Sequence, residues 1–258
     1  MLMAVDTGNT QTVLGLFEGD ELRGHWRMAT EAHRSSDELG VLCSGLLGLR
    51  GLGLADVGAM IVSSVVPGLT RSYHRLAEET LGVPFYPVTV GMETGLRNLY
   101  DDPAAVGADR LVNSVAVGRH YRFPAVIVDS GTALTVCAVE SGGGYRGGAI
   151  LPGLNVALDA LVSRTAKLPR VDLEADPPPD IATNTPDSIR SGFVYGYAGA
   201  VDALVERFAR ELGSPPPVVI ATGGLAPVVV KHSRTIEEFD PYLTLKGLRV
   251  LYEMNASR

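Results

Sequence analysis

The stretch MLMAVDTGNTQTVLGLF at residues 1–17 places one aspartate, Asp6, between two apolar runs and directly before a Gly-Asn-Thr turn. A carboxylate at the end of a buried strand is costly unless it is used. The stretch PAVIVDSGTALTVCAVESGGGYRGGAI at residues 124–150 repeats this order, with Asp129 in the place of Asp6. The repeat predicts that one strand-turn-strand unit occurs twice in the chain.

Similar elements follow both stretches. In the first half, apolar periodicity and capping signals predict three strands, near residues 1–6, 11–18 and 21–29. After these they predict a helix near 35–49, a strand near 59–66, a helix near 69–82, a strand near 84–88 and a helix near 109–119. In the second half, they predict three strands within 124–150, helices near 154–163 and 197–212, a strand at 217–224 and a helix near 244–255. We therefore predict an α/β fold of two β-β-β-α-β-α-β-α halves, 1–117 and 118–258, with a cleft where the two Asp-x-Gly turns meet.

Bulk composition excludes several classes of function. The net charge is −7 and the basic residues are scattered, so nucleic acid is not an expected partner. The polar DTGNTQT interrupts the first apolar run well before the roughly 18 residues of a membrane span, so we expect a cytoplasmic protein without a membrane anchor. Cys43 and Cys137 have no metal-ligand spacing and are predicted to be buried free thiols.

Two further segments are predicted to be irregular. The proline-rich and acidic stretch at residues 170–189 is interpreted as a long loop within the second half. The letters GGGYRG at 142–147 satisfy a dinucleotide-binding pattern, but an apolar run follows where that pattern requires a helix. We interpret them as a hairpin turn.

The paired turns DTGNT and DSGTA carry the chemistry. Glycine at the third position lets backbone N–H groups approach an anion, the Thr and Asn side chains add donors, and the aspartate can hold a cation or its waters against phosphate. Each turn alone could be a plain hairpin. Together with ATGGL at 221–225, they resemble the phosphate loops and adenosine-side glycine motif of the superfamily of acetate and sugar kinases, heat-shock ATPases and actin.

That resemblance implies an actin-like (ribonuclease H-like) duplicated fold with a central nucleotide cleft. It implies that the cleft binds ATP with Mg²⁺ through the residues of the two loops and of the glycine motif, namely Asp6, Thr7, Gly8, Asn9, Thr10, Gln11, Thr12, Val13, Gly131, Thr132, Gly223 and Gly224. The first half then carries the first phosphate loop, and the second half carries the second loop and the adenosine motif.

A narrower resemblance covers nearly the whole chain. The motifs SSVVPG (63–68), NLYDDPAAVGADR (98–110), GGAILPG (147–153) and NTPDSIRSG (184–192) are similar, in order and spacing, to those of the type III pantothenate kinases. The resemblance implies ATP-dependent phosphorylation of the terminal hydroxyl of pantothenate, the first step of coenzyme A synthesis, in a homodimer. It also implies a monovalent cation, potassium or ammonium, besides magnesium.

Asp109 is the candidate general base. A primary alcohol is a poor nucleophile, so a kinase needs a carboxylate near the hydroxyl to accept its proton. Asp109 falls at the predicted start of a helix, whose dipole favours the ionised form, and Gly107 is expected to leave space for a substrate. Spacing alone favours a plain helix N-cap. The match to the GADR motif of the family favours the base.

The resemblance assigns further residues. It places Gly107, Ala108, Asp109, Arg110 and Tyr100 at the pantothenate site; surface ion pairing of Arg110 and core packing of Tyr100 are the structural alternatives. It further implies that Thr185 reaches the substrate across a dimer interface. For metals, it assigns Asp129 to the monovalent cation and Asp6 to magnesium and the phosphates.

The chain departs from the family pattern at two positions. Ser130 stands where many members have an aromatic or aliphatic residue, and we expect it to place a hydroxyl beside the cation position; Ala182 stands where members often have glycine. Two other functions remain open from the sequence. One is a catalytically degenerate nucleotide-binding protein that regulates transcription, and the other is a kinase for a sugar or an acyl phosphate.

Overall fold

A computed structural model of the chain describes residues 1–256. Its strands are β1 (Leu2–Thr7), β2 (Gln11–Glu18), β3 (Glu21–Ala29), β4 (Ala59–Ser64), β5 (Phe85–Pro87), β6 (Arg97–Asn98), β7 (Ala125–Ser130), β8 (Ala133–Val139), β9 (Gly144–Pro152), β10 (Val218–Thr222) and β11 (Glu238–Phe239). Its α-helices are α1 (Ser36–Gly48), α2 (Pro67–Arg75), α3 (Ala108–His120), α4 (Leu154–Ser163), α5 (Thr185–Leu212), α6 (Ala226–Val230) and α7 (Leu243–Ala256).

The chain divides into two compact units. Unit 1 contains residues 1–95, 101–120 and the described residues from Leu243 onward, and unit 2 contains residues 96–100 and 121–242. Unit 1 holds a sheet of order β3-β2-β1-β4-β5, and unit 2 holds a sheet of order β11-β10-β7-β8-β9-β6. Apart from the added β6, the second sheet read in reverse, β9-β8-β7-β10-β11, has the same order as the first, with β7 in the place of β1. This match confirms the predicted duplication.

The likeness of the halves extends to register and burial. In each half, the first strand pairs antiparallel with the second and parallel with the fourth. Both first strands are buried along their length except at the aspartate, where Asp6 and Asp129 are partly exposed. Each carboxylate is therefore held at the end of a buried strand while one side of it remains open to solvent.

Strand alternation decides which way the residues of β1 face. Met3 and Val5 belong to the apolar cluster that includes α1 and α2. Ala4 pairs with Gly15, and a Cβ on Gly15 would meet Leu245 of α7 at 2.8 Å, so the opposite face of the sheet is covered by α7. Because the side chains of a strand alternate between the two faces of the sheet, Asp6 lies on the α7 side with Ala4, and Thr7 lies on the α1 and α2 side.

Several local predictions are confirmed. Ser35 and Glu38 form the capping box that begins α1. The segment after α2 continues as a π-helical turn at Leu76–Leu81 and ends at Gly82, which has φ +64°. The residues GGGYRG lie in the hairpin between β8 and β9 rather than at a helix, and both cysteines are buried and free.

The structure corrects three other predictions. The last helix, α7, belongs to unit 1, where Gly247 packs so tightly on α3 that its Cβ would lie 2.2 Å from the Val112 carbonyl oxygen; the compact units are therefore not the contiguous halves 1–117 and 118–258. The predicted loop at 170–189 ends early because Asn184 caps α5, which begins at Thr185. Leu49 does not join the buried stripe of α1 and is 77% exposed.

The described residues contain neither a membrane-spanning helix nor a cluster of metal-binding side chains. Within residues 1–256, no helix is both long and apolar enough to cross a membrane. The same part of the chain has no group of three or more His, Cys, Asp or Glu side chains arranged to hold a metal ion.

Candidate active site

The first candidate loop is the tight turn between β1 and β2. The N–H of Gly8 donates to the Gln11 carbonyl oxygen at 3.0 Å, and the N–H of Thr30 donates to the Thr10 carbonyl oxygen at 3.0 Å. Asn9, Thr10 and Gln11 are exposed at its tip. The turn is thus fixed at its base by backbone hydrogen bonds, and its tip presents polar side chains to solvent.

Two threonines of this loop face inward. The Thr12 hydroxyl is hydrogen-bonded to that of Thr30 at 2.9 Å and is buried. The Thr7 hydroxyl is also buried, on the face that carries Tyr73 of α2. Burial raises the pKa of Tyr73, and the Arg34 charge and the Thr7 hydroxyl partly offset that rise. These side chains support the loop from beneath, so a ligand would meet the backbone of Thr7 rather than its hydroxyl.

The second candidate loop joins β7 to β8. The N–H of Gly131 donates to the Ala133 carbonyl oxygen at 3.0 Å, and the N–H of Gly153, at the start of α4, donates to the Thr132 carbonyl oxygen at 3.0 Å. A Cβ at Gly153 would lie 2.3 Å from that oxygen and 2.4 Å from the Gly131 carbonyl oxygen. Glycine at 153 therefore allows α4 to begin directly against the loop.

The glycine turn after β10 packs on the same loop. Gly223 has φ +97°, and a Cβ there would lie 2.6 Å from Asp129 Oδ1 and 2.6 Å from the Ser130 carbonyl oxygen. The N–H of Leu225 donates to that same carbonyl oxygen at 3.2 Å. Gly224 is exposed beside it. Unit 2 thus brings together the Asp129 carboxylate, the second loop and the predicted adenosine motif.

Ser130 does not lie where the sequence suggested. Its side chain shares the face of β7 that carries Val126 and Val128, both in the apolar core, whereas Asp129 points to the other face. The Ser130 hydroxyl is fully buried and has no hydrogen-bond partner among the described residues. The prediction that the Ser130 hydroxyl lies beside the Asp129 cation position is therefore wrong, because adjacent residues of a strand face opposite sides of the sheet.

Asp109 lies in the first turn of α3 rather than at its N-cap. A Cβ at Gly107 would lie 2.5 Å from Asp109 Oδ1 and 3.5 Å from Arg110 Nε. The space that glycine leaves at 107 therefore accommodates the Asp109 carboxylate, where we expected it to receive a substrate. Asp109 and Arg110 are both partly exposed.

Tyr100 is held by unit 2. Its ring lies 3.1 Å from the position of a Cβ on Gly147, and its centroid is 6.3 Å from that of the buried Tyr145. Tyr100 is partly exposed, so it is not a core tyrosine. Thr185, also in unit 2, is exposed at the beginning of α5, next to the cap in which Asn184 accepts from the Asp187 N–H.

Comparisons with known proteins decide the family. The family model described as type III pantothenate kinase matches residues 2–207. The chain belongs to the type III pantothenate kinase family. A type III pantothenate kinase from Rubrobacter xylanophilus is 66% identical and one from Geotalea uraniireducens is 46% identical. The alignments cover 100% and 99% of this chain and 99% of each relative.

Solved structures confirm the fold. A Campylobacter jejuni protein assigned to the Baf family of transcriptional activators superposes with a TM-score of 0.61 at 16% identity, covering 99% of this chain and 100% of that one. The activator of 2-hydroxyisocaproyl-CoA dehydratase from Clostridium difficile superposes with a TM-score of 0.53 at 12% identity, covering 99% of this chain and 96% of that one. At such identities the likeness concerns fold alone, and it agrees with the predicted actin-like duplication.

Two glycines of GGAILPG have structural roles that the motif spacing does not predict. Gly153 closes the second loop, and Gly147, with φ +111°, lies under the Tyr100 ring. The signal was present in the quoted motif, since glycine in a strand often marks a close approach. The group that approaches each glycine comes from a segment distant in sequence, and the spacing of a motif does not show which segment that is.

Proposed function

We propose that this chain transfers the γ-phosphoryl group of ATP to the terminal hydroxyl of pantothenate, the first step of coenzyme A synthesis, with Asp109 as general base. The observation that carries the proposal is membership of the type III pantothenate kinase family, with a relative that is 66% identical over 100% of this chain. The two loops built around Asp6 and Asp129 supply the phosphate-binding chemistry that such a transfer requires.

Asp109 has the properties that a base needs. Its carboxylate is accessible, and it lies in the first helical turn, where the dipole of α3 favours negative charge. Gly107 gives that carboxylate a defined position. We propose that Asp109 accepts the proton of the pantothenate hydroxyl as the oxygen attacks the γ-phosphorus, which is general base catalysis.

The loops would hold ATP and its metal ions. Magnesium prefers oxygen ligands and keeps several waters, so one or two carboxylates beside substrate phosphates suffice for it. Asp6, partly exposed at the end of β1, fits that requirement. We assign Asp129 to the monovalent cation, because its carboxylate is presented beside the Ser130 carbonyl oxygen and the Gly223 turn. Magnesium would neutralise charge on the phosphates, while the backbone N–H groups of the loops would orient them.

The remaining assignments concern pantothenate. We propose that the guanidinium of Arg110 binds its carboxylate, since that fork matches a carboxylate in two hydrogen bonds. Tyr100 would form one wall of the pocket, and Thr185 of a second copy would complete it. These assignments rest on the match of NLYDDPAAVGADR and NTPDSIRSG to the family motifs.

The direct test is turnover. Purified protein with ATP, Mg²⁺, K⁺ and pantothenate should form ADP and phosphopantothenate in equal amounts, and omission of K⁺ or its replacement by Na⁺ should lower the rate. A panel of sugars and carboxylic acids in place of pantothenate tests the alternative that the chain is a kinase for a sugar or an acyl phosphate. Absence of turnover with pantothenate and with every member of the panel, under every cation condition, would leave the regulatory nucleotide-binding protein as the better account.

We propose that the homodimer of the family uses one face of α5. Gly192, Gly196 and Gly199 lie exposed at helical spacing, and a Cβ on any of them would meet nothing within 4 Å. Each glycine costs about 1 kcal/mol relative to alanine in a helix interior. No contact among residues 1–256 explains that cost, whereas close packing against α5 of a second copy does. The exposed apolar Ile150 and Val156 lie in the same unit.

Replacement of Gly196 by leucine should disrupt this dimer. Leucine fits the open space of the single chain and favours a helix, so the fold should persist, but its bulk would separate two closely packed helices. Sedimentation velocity should show a dimer for the wild type and a monomer for Gly196→Leu. Gly45→Leu on α1, which also has nothing within 4 Å, is the matched control and should remain dimeric. A dimeric Gly196→Leu variant would show that this face is not the interface.

A further inference from the structure

Tyr100 owes its position to a segment distant in sequence. Residues 96–100 leave unit 1 for five residues and join the sheet of unit 2 as its edge strand β6. The N–H of Arg97 donates to the Gly143 carbonyl oxygen at 3.1 Å, and that of Leu99 donates to the Tyr145 carbonyl oxygen at 3.0 Å. The Arg97 guanidinium also donates to Glu140 at 2.8 Å. The backbone of Tyr100 is thereby attached to the hairpin of β8 and β9.

The ring of Tyr100 lies over Gly147. A Cβ at Gly147 would lie 3.1 Å and 3.2 Å from two ring carbons, Cε2 and Cδ2, which is tighter than an ordinary contact. On the same hairpin, Tyr145 is fully buried and its hydroxyl is 3.5 Å from Cys137 Sγ. Tyr145 is therefore a fixed neighbour of the Tyr100 ring, and Gly147 supplies the surface on which that ring lies.

We propose that Gly147 is a positioning residue for pantothenate recognition, because only glycine at 147 lets the Tyr100 ring lie against the β9 backbone. The proposal rests on the proposed role of Tyr100 as a pantothenate contact. A methyl group at 147 pushes the ring toward solvent by a few tenths of an ångström. Misplacement of a positioning group lowers catalytic efficiency, by up to about 100-fold for a misplacement of about 1 Å. ATP, which Tyr100 is not assigned to bind, should be unaffected.

Gly147→Ala tests the proposal against a matched control. Gly147 has φ +111°, so alanine there also strains the backbone. Gly143→Ala also places alanine at a positive φ on the same hairpin, at φ +72°, but the side chains nearest to its Cβ, Phe123 at 3.5 Å and Leu96 at 3.9 Å, lie at ordinary contact distances. We expect Gly147→Ala to raise the KM for pantothenate at least about threefold beyond Gly143→Ala, with the KM for ATP unchanged within about twofold.

A double variant separates the ring from the backbone. In a Tyr100→Ala background the ring is gone, so Gly147→Ala should no longer raise the KM for pantothenate. The same factor in both backgrounds, or equal effects of Gly147→Ala and Gly143→Ala, overturns the inference. If Gly147→Ala alone fails to fold, recovery of folding in the double variant supports the inference, and failure of both overturns it because strain then explains the glycine.

The outcomes also distinguish this inference from the proposed function. If Tyr100→Ala leaves the KM for pantothenate unchanged, the assignment of Tyr100 to the substrate fails. If Tyr100→Ala raises that KM and Gly147→Ala does not, the substrate assignment stands and the role of Gly147 fails. Binding of pantothenate by calorimetry gives the same comparison without turnover.

Discussion

Replacement of Asp109 by asparagine should lower the kcat for pantothenate phosphorylation by about 10²- to 10⁴-fold, the usual contribution of a general base. Asparagine is nearly the same size as aspartate and fits the space over Gly107, so the fold of α3 should be retained. It cannot accept the proton of the attacking hydroxyl. Binding of ATP should therefore persist while the chemical step fails, and single-turnover kinetics with calorimetric binding of ATP would separate the two.

Asp101→Asn is the matched control for this change. Asp101 is an exposed aspartate of the same NLYDDPAAVGADR segment, and it has no assigned role. Its replacement should leave kcat within about twofold of the wild type, as surface substitutions usually do. If Asp109→Asn retains wild-type kcat, or if the two variants lose activity equally, Asp109 is not the base. A lowered melting temperature of Asp109→Asn alone would instead indicate a structural role in the first turn of α3.

The elements that could be predicted are those with local causes. Alternation of apolar residues with a polar turn identified β1, β2, β7 and β8, and a capping box identified the start of α1. The duplication followed from two copies of one local pattern, which is why Asp6 and Asp129 were matched without a structure. Their shared burial pattern in the structure shows that the match extends to their environments.

The features that escaped prediction depend on distant partners. Residues 97–98 form a strand only because the hairpin of β8 and β9 offers an edge, and α7 belongs to unit 1 because Gly247 packs against α3. Neither contact leaves a periodic signal in the residues concerned. The prediction for the Ser130 side chain is wrong for another reason. Ser130 is next to Asp129 in the motif, but neighbouring residues of a strand face opposite sides of the sheet.

Gly153→Ala is the second large effect that the structure predicts. Gly153 has φ −65° and ψ 158°, which alanine adopts without strain, so the change isolates a steric effect. Its new Cβ would lie 2.3 Å from the Thr132 carbonyl oxygen and 2.4 Å from the Gly131 carbonyl oxygen. Both are backbone atoms, so either α4 or the loop between β7 and β8 must move.

Both movements are costly. Overpacking of this kind lowers the free energy of unfolding by about 1 to 3 kcal/mol, and loss of a glycine N-cap adds to that. A shifted loop also carries Thr132 away from its proposed position on ATP, so we expect the KM for ATP to rise at least about tenfold. Urea unfolding and the KM for ATP measure the two effects separately.

The control for Gly153→Ala is a glycine with open space. Gly48 lies exposed in α1 with nothing within 4 Å of its Cβ position, so Gly48→Ala should leave the KM for ATP unchanged and raise stability by up to about 1 kcal/mol. If Gly153→Ala behaves like Gly48→Ala, the contact between α4 and the second loop does not position that loop. If it loses stability but keeps its KM for ATP, α4 has moved and the loop has not, and the position of Thr132 then does not depend on Gly153.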